Sequence, residues 1–159
     1  MTCDHPPPPA EELSLVDALA QLSFLVQGTL AEIAGRHDLS VIQIRLLGVL
    51  RDREPTMNAL GRHLGLDKSS ISGLVDRAQR RGLVTRTVSA SDRRVYQVSM
   101  TDAGRRLAEL VAAEFSDRVE TSVARLPPAD RRLLARLAAR VVVADAERRG
   151  GIDLSTPAG

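Results

Sequence analysis

Apolar residues recur every three or four positions over most of the chain, which is the period of an amphipathic α-helix. The first such stripe predicts one long helix that ends near Gly35, and its members are Leu15, Leu19, Leu22, Val26, Leu30 and Ile33. A second helix is predicted from Ser40, which can cap it, through Leu50, with apolar residues on nearly every side. Such a helix is expected in the middle of the fold.

The centre of the chain predicts two short helices joined by a tight turn. The third helix begins at Thr56 and ends at Gly65, where a glycine can close the last turn. Asp67 can cap the fourth helix, and Gly82 stops it. The inward face of this fourth helix carries Ile71, Leu74, Val75 and Ala78.

Two strand-like runs follow, at residues 83–88 and 95–100, separated by a small polar loop. In the second run, apolar and polar positions alternate, as in a half-buried strand. The order helix, turn, helix, strand, loop, strand is that of a winged helix-turn-helix, which we place at about 53–100. Such a unit sets one helix in a DNA major groove and its loop in a neighbouring minor groove.

A fifth helix is predicted after Thr101 and a sixth from Pro127-Pro128. Their apolar stripes are Leu107, Leu110, Val111, Phe115 and Val119 in the fifth, and Leu133, Leu134, Leu137 and Val141 in the sixth. The winged unit is too small to cover these stripes and that of the first helix. The sequence therefore predicts a homodimer, and the alternative is a monomeric helical bundle around the winged unit.

The predicted fold class is mainly α with a small β-wing, in which dimerisation helices flank the winged helix-turn-helix. One domain is expected at 11–149, with the dimerisation helices at about 11–35 and 101–149. A proline-rich tail at 1–10 and a flexible tail at 150–159 complete the chain.

Charge is unevenly distributed along the 159 residues, although the net charge is only +2. Between Arg51 and Arg106 there are twelve basic and six acidic residues, whereas the rest of the chain is acidic. A basic middle that coincides with the winged unit favours a polyanion as partner. The alternative is that arginine covers the whole surface, since Lys68 is the single lysine.

Composition argues against several other classes of protein. Cys3 is the only cysteine, so an internal disulfide is excluded, which suits a cytoplasmic location. No apolar run approaches the ~20 residues of a membrane span, so no membrane partner is expected. Cys3 lies before the proline run, and with His5 it supplies two metal ligands where a site needs three or four. We therefore expect no cofactor and no metal, and keep redox or metal sensing as alternatives.

The first turns of the fourth helix carry small or polar residues on the face away from the core. Hydroxyl groups there can approach a groove floor and bond to base edges or phosphates, and a lysine can meet a phosphate or a guanine. The candidate DNA-binding residues in this helix are Lys68, Ser69, Ser70, Ser72 and Arg77, with Arg80 and Arg81 extending the positive surface. The alternative is a merely solvated helix N-terminus.

The predicted wing tip contains Asp92, Arg93 and Arg94. An arginine on a narrow loop can enter the minor groove, where the negative potential is strongest. A neighbouring aspartate can orient that guanidinium through a bidentate pair. A polar hairpin tip with two arginines can also be idle, but its position directly after a recognition-type helix favours DNA contact.

Taken together, these motifs resemble the MarR family of bacterial transcription regulators. The resemblance is carried by Asp67-Lys-Ser-Ser, Leu74-Val-Asp-Arg, Arg81-Gly-Leu-Val, Asp92-Arg-Arg and Met100-Thr-Asp-Ala-Gly. It implies a triangular homodimer that presents one winged unit to each half of a palindromic operator. It also implies that Ser69, Ser70, Ser72, Arg77, Asp92 and Arg94 contact DNA or support that contact. Most members of the family are repressors that a small molecule or oxidation releases, and a minority are activators.

The resemblance further implies a small aromatic or phenolic ligand, bound between the dimer helices and the winged unit. The candidate pocket residues are Phe24, Gln27, Gly28, Gln43 and Leu47. The alternative is that Phe24 and Leu47 are plain core residues. Because the chain has no Gly-rich phosphate loop, nucleophile elbow or His-Glu-x-x-His, an enzyme is not expected. A winged-helix module that binds proteins remains a further alternative.

Overall fold

The structure, a computed structural model, describes residues 13–88 and 94–149. Six helices and two strands follow one another in the predicted order. They are α1 Leu15–Arg36, α2 Val41–Leu50, α3 Met57–Leu64, α4 Lys68–Arg80, β1 Val84–Val88, β2 Tyr96–Met100, α5 Asp102–Ser122 and α6 Pro128–Arg149. The predicted fold class, mainly α with a small β-wing, is confirmed. Both predicted tails lie outside the described residues, and the domain boundaries stay predictions.

Short polar side chains begin the helices where the sequence predicted them. Ser40 caps α2 in a reciprocal capping box with Gln43, Asp67 caps α4 and Thr101 caps α5. Gly65 ends α3 in the left-handed region, with φ of 68°.

The end of α1 differs slightly from the prediction. The helix continues one residue past Gly35 to Arg36, and the chain then turns through Asp38, whose φ is 52°. Aspartate tolerates this left-handed conformation better than most residues with a side chain. The sequence therefore closes this helix without a glycine at the turn.

The predicted central position of α2 is confirmed. Its residues Ile44, Leu46, Leu47 and Leu50 are all buried. The helix packs against α1, α3, α5 and β2, so it meets neighbours on several sides. Because α2 has neighbours on several sides, apolar residues around most of its surface can pack against them.

The wing is an antiparallel pair in which Val84 faces Met100 and Val88 faces Tyr96. The segment just before α3 adds to this sheet, which was not predicted from the sequence. Thr56 forms a bridge with Gln97, and the carbonyl of Pro55 accepts a hydrogen bond from the N–H of Val98 at 3.0 Å. These contacts fix the start of α3 against the wing.

The start of α5 is tied to the turn after α4. The Thr101 hydroxyl donates to the carbonyl of Gly82 at 2.6 Å, and the backbone N–H of Thr101 donates to the carbonyl of Leu83 at 3.1 Å. A Cβ on Gly104 would lie 2.0 Å from the Leu83 carbonyl oxygen. This approach requires a residue without a side chain at position 104.

Much apolar surface on α1 and α6 stays uncovered in the single chain. Leu15 is 76% exposed and Val141 is 62% exposed. The helix α6 makes no extensive contact with another described element. The predicted stripes on these helices therefore exist, but the winged unit does not bury them.

Candidate nucleic-acid interface

The helix α4 presents a polar face to solvent and an apolar face to the core. Lys68, Ser69 and Ser70 are exposed and Ser72 is half-buried. The opposite face buries Ile71, Leu74, Val75 and Ala78, as the sequence predicted. Lys68, Ser69 and Ser70 are therefore accessible on the first turn of this helix, and Ser72 is partly accessible.

The carboxylate of Asp67 organises the two exposed serines. It accepts hydrogen bonds from the N–H of Ser70 at 2.8 Å, the hydroxyl of Ser69 at 2.7 Å and the hydroxyl of Ser70 at 3.0 Å. These bonds, led by the one from the Ser70 N–H, lower the pKa of Asp67 from 3.8 to about 2. Since both hydroxyl protons point to Asp67, the serine oxygens are left as hydrogen-bond acceptors.

A second acidic residue holds the wing against α4. The guanidinium of Arg86 on β1 donates to the carboxylate of Asp76 at 2.5 Å and to the carbonyl of Ser72 at 3.2 Å. The Nε of Arg86 is buried and has no hydrogen-bond partner among the described residues. This role of Arg86 was not predicted from the sequence. The feature of the sequence that indicates this role is the strand period, because it places Arg86 on the same face of β1 as the buried Val84.

Between α4, the start of α3 and the wing lies a concave surface with a cavity of about 350 Å³. It brings together Lys68 and Ser72 of α4, Arg86 of β1 and Arg94 of the wing. The exposed Arg94 is thus near two other candidate residues, although it is 22 positions or more from them in sequence. Asp92 and Arg93, which were also predicted to touch DNA, lie outside the described residues.

On the other side of α4, Arg77 lies back along its own helix. Its Nη1 is 3.3 Å from the position that a Cβ on Gly73 would occupy, so the glycine makes room for the guanidinium. Arg77 borders a shallow depression that also includes Ser69 and Ser70. Arg77 therefore lies beside the exposed Ser69 and Ser70, so the three residues can form one contact surface.

Arg81 differs from its expected role as part of the positive surface. Its guanidinium donates to the carbonyls of Asp38 at 2.5 Å and His37 at 3.3 Å, at the end of α1. The interaction spans more than forty residues of sequence, and periodicity within one helix gives no indication of it.

The five candidate effector residues have different surroundings in the single chain. Gln43 is engaged in the capping box of α2, and Gln27 donates to Ser23 within α1. Phe24 is 65% exposed, so the alternative that it is a core residue is wrong for the single chain. Apart from its chain neighbours and the backbone of α1, no described atom lies within 4 Å of the place where a Cβ on Gly28 would be.

Leu47 alone of the five borders a cavity of about 150 Å³ between α1, α2 and α5. Apolar side chains dominate its wall, and one arginine contributes to it. The wall comprises Leu30, Ile44, Leu47, Gly48, Arg51, Ala108, Val111, Ala112 and Phe115.

Residues 13–88 and 94–149 contain no group of three histidine, cysteine, aspartate or glutamate side chains placed to hold a metal ion. Within the same ranges, no helix combines the length and apolar character needed to cross a bilayer.

The sequence matches the MarR family over residues 37–95, which confirms the resemblance predicted from the motifs. No curated protein sequence matches the chain. Among solved structures, the Staphylococcus aureus MepR–DNA complex has a TM-score of 0.68 at 20% identity, covering 84% of this chain and 99% of that chain. CouR from Rhodococcus jostii RHA1, bound to p-coumaroyl-CoA, has a TM-score of 0.67 at 22% identity, covering 80% and 91%. NadR in complex with 4-hydroxyphenylacetate has a TM-score of 0.69 at 21% identity, covering 85% and 96%.

Proposed function

We propose that this chain, a member of the MarR family through residues 37–95, is a sequence-specific DNA-binding transcriptional regulator. It binds a palindromic operator as a homodimer, acts as a repressor, and is released by a small-molecule effector. The observation that carries the proposal is the surface that joins the polar face of α4 to the basic wing. Its role is in binding and not in catalysis, and it acts on DNA in the cytoplasm.

The chemistry of the α4 surface supports DNA as its partner. Hydroxyls and basic groups on a recognition-type helix suit a groove, and Arg94 is placed for backbone or minor-groove contact. Because Ser69 and Ser70 present acceptor oxygens, they match the exocyclic amino groups of adenine and cytosine in the major groove. MepR, which has the same fold, was solved bound to DNA.

Binding to an operator tests this proposal directly. DNA that flanks the chain's own gene is titrated with protein at several salt concentrations, and we expect affinity to fall steeply as salt rises. Arg94→Ala should lose about 1–3 kcal/mol of binding free energy, the scale of one good groove contact.

A charge-matched control separates Arg94 from a general loss of positive charge. Arg125 is exposed beyond the end of α5, a 21-residue helix whose other end is bonded to Gly82. That places it roughly 30 Å from the end of α4. Arg125→Ala should bind the operator like the wild type. If Arg94→Ala does so as well, the wing assignment is wrong, and if no fragment binds the wild type even at low salt, the function is wrong.

The exposed apolar helices support the homodimer. Leu133, Leu137 and Val141 follow the helical period along α6, and each is at least 41% exposed. A second copy that covers α1 and α6 removes this surface from water. Sedimentation should give a dimer for the wild type and a monomer for Leu137→Glu, and footprinting should show two half-sites about one helical turn apart.

The cavity between α1, α2 and α5 supports a one-ring aromatic effector. A cavity of about 150 Å³ with aliphatic and aromatic walls has room for one benzene ring. Arg51, on the wall, pairs through its Nε with the exposed Asp52 at 3.3 Å, and its other guanidinium nitrogens can donate to a carboxylate or phenolate. CouR and NadR were solved with ligands that contain such a ring.

Calorimetry with 4-hydroxybenzoate tests the effector site. We expect binding to the wild type, weaker binding to Arg51→Gln, and release of the operator on addition of the ligand. Gly48→Leu fills the cavity and should abolish the release while DNA binding persists. Release that survives this substitution would place the effector elsewhere.

A further inference from the structure

The corner where α1 leads into α2 is held from two sides by side chains of other helices. We define the corner junction as Arg36, His37, Asp38, Arg81 and Glu114. Its members belong to the end of α1, the end of α4 and the middle of α5. No residue of this set was predicted to act together with the others.

From the side of α4, Arg81 holds the backbone of the corner. Its guanidinium spans the carbonyls of His37 and Asp38, as described above. The carbonyls of His37 and Asp38 lie just past Arg36, the last residue of α1, where the helix dipole places partial negative charge. A cation that bridges two of them therefore satisfies both and fixes their direction. Since Arg81 is itself the C-cap residue of α4, it joins the ends of two helices.

From the side of α5, Glu114 holds the side chains of the corner. One carboxylate oxygen lies 2.7 Å from Nε2 of His37, and the other lies 2.7 Å from Nη2 of Arg36. The hydrogen bond from His37 is the main reason why the pKa of Glu114 is below its ordinary value, with Arg36 adding to the effect. The His37 side chain is only 16% exposed, so this contact is largely sheltered from water.

These contacts close a ring of three helices. The end of α4 is bonded to α1 through Arg81 and to α5 through Thr101, whose hydroxyl donates to Gly82. The same α1 is bonded to α5 through Glu114. Each pair of helices is thus linked, so a rotation of α4 relative to α1 and α5 strains or breaks bonds of the ring.

We propose that Arg81 is a positioning residue, which with Glu114 fixes the orientation of the recognition helix relative to the helices that form the dimer. This inference rests on the proposed function, because it concerns how far apart two recognition helices are held. Arg81 then serves operator recognition through its hold on the end of α1, without contacting a phosphate. Glu114, on a different element, serves the same purpose.

Operator spacing and salt dependence together test this role in the full-length protein. The variants are Arg81→Gln and Glu114→Gln, with Arg77→Gln as a control on the exposed side of α4. Each is titrated against the natural operator and against one with a single base pair inserted between the half-sites. Thermal unfolding of each variant establishes that it is folded at the assay temperature.

We expect the insertion to weaken wild-type binding on the order of tenfold or more, since rigidly spaced helices lose register with the groove. For Arg81→Gln and Glu114→Gln, the loss of affinity caused by the insertion should be severalfold smaller than for the wild type. The double variant should lose as much affinity on insertion as either single variant. The slope of log affinity against log salt should stay at the wild-type value for Arg81→Gln. For Arg77→Gln it should fall by about 0.9, the loss of one phosphate contact.

Two results would overturn the inference and leave the proposed function intact. One is a loss of about 0.9 in salt slope for Arg81→Gln, which makes Arg81 a phosphate ligand. The other is an unchanged insertion penalty in both variants. If either variant fails to fold, Arg81→Lys, which keeps the charge but not the two-pronged geometry, should show the same relaxed spacing. Failure of the wild type to bind any operator would instead refute the proposed function and this inference with it.

Discussion

Arg86 on β1 and Asp76 on α4 form an ion pair at 2.5 Å that ties the wing to the recognition helix. The arginine side chain is 25% exposed, and the same guanidinium also holds the Ser72 carbonyl, one helical turn before Asp76. A charge-assisted bond in this partly sheltered position is stronger than an exposed ion pair. The direction of the wing relative to α4 therefore depends on two side chains ten residues apart in sequence.

Loss of this ion pair should loosen the wing. Arg86→Met should lower the free energy of unfolding by about 1–2 kcal/mol and weaken operator binding about tenfold, because the Arg94 loop loses its support. Urea denaturation and operator titration measure the two effects. In the double variant Arg86→Met, Asp76→Leu, stability should partly return, since no unpaired carboxylate is left, while operator binding stays weak. Wild-type operator affinity in Arg86→Met would show that the wing does not need this contact.

The close approach of α5 to the turn after α4 predicts strong intolerance at Gly104. Gly104→Ala puts a Cβ at 2.0 Å from the Leu83 carbonyl oxygen, and the backbone of both elements must move. We expect a loss of about 3 kcal/mol or more in unfolding free energy.

Gly35→Ala is the matched control for Gly104→Ala. A Cβ at position 35 meets no described atom within 4 Å apart from its chain neighbours and the backbone of α1, and alanine is the better helix former, so stability should rise by about 0.5–1 kcal/mol. Thermal and chemical denaturation of the two variants compare them. Equal stability of both would mean that α5 does not approach Leu83 as described.

The cap of α4 predicts a stability change at acid pH. Because the pKa of Asp67 is lowered from 3.8 to about 2, its ionised form stabilises the folded state above pH 3.8. This contribution should be lost as the pH falls from 3.8 through about 2. Asp67→Asn keeps a capping oxygen without the charge, so its stability should change less over this window. Denaturation midpoints between pH 5 and 2 measure the difference, and parallel curves for both proteins would contradict the assignment.

The half-buried His63 on α3 predicts a second pH effect, nearer neutrality. Its pKa is lowered from 6.5, first by burial and then by the positive charges of Arg53 and Arg45. As the pH falls, His63 therefore binds its proton at a higher pH in the unfolded chain than in the folded one. Stability is fully present above pH 6.5 and declines below it.

Nuclear magnetic resonance of the imidazole protons should place the His63 titration below pH 6.5. In His63→Gln, the loss of stability between pH 7.5 and 5 should be smaller than in the wild type. A titration midpoint at or above 6.5 would show that burial and the two arginines do not disfavour the charged ring.

The order of elements and their ends were predictable from the sequence because their causes are local. Ser40, Asp67 and Thr101 cap helices through bonds to residues three positions away, and Gly65 closes α3 through its own backbone freedom. The apolar period identified the central helix and the polar face of α4 for the same reason, since both depend on neighbours within one helix. The accessible side of Lys68, Ser69 and Ser70 followed directly from that period.

Contacts between distant segments were decided by the tertiary structure alone. Arg77 and Arg81 are both exposed and only four residues apart, yet Arg81 donates to the carbonyls of His37 and Asp38 while Arg77 lies beside Ser69 and Ser70. Arg86 holds the wing through Asp76, which is ten residues away in sequence. Glu114 pairs with Arg36 at the end of α1, more than seventy residues away. The sequence shows which residues carry a guanidinium or a carboxylate but not which groups they contact, because charge and periodicity describe one element at a time. Which groups lie within 3 Å of each other is fixed only when the helices pack.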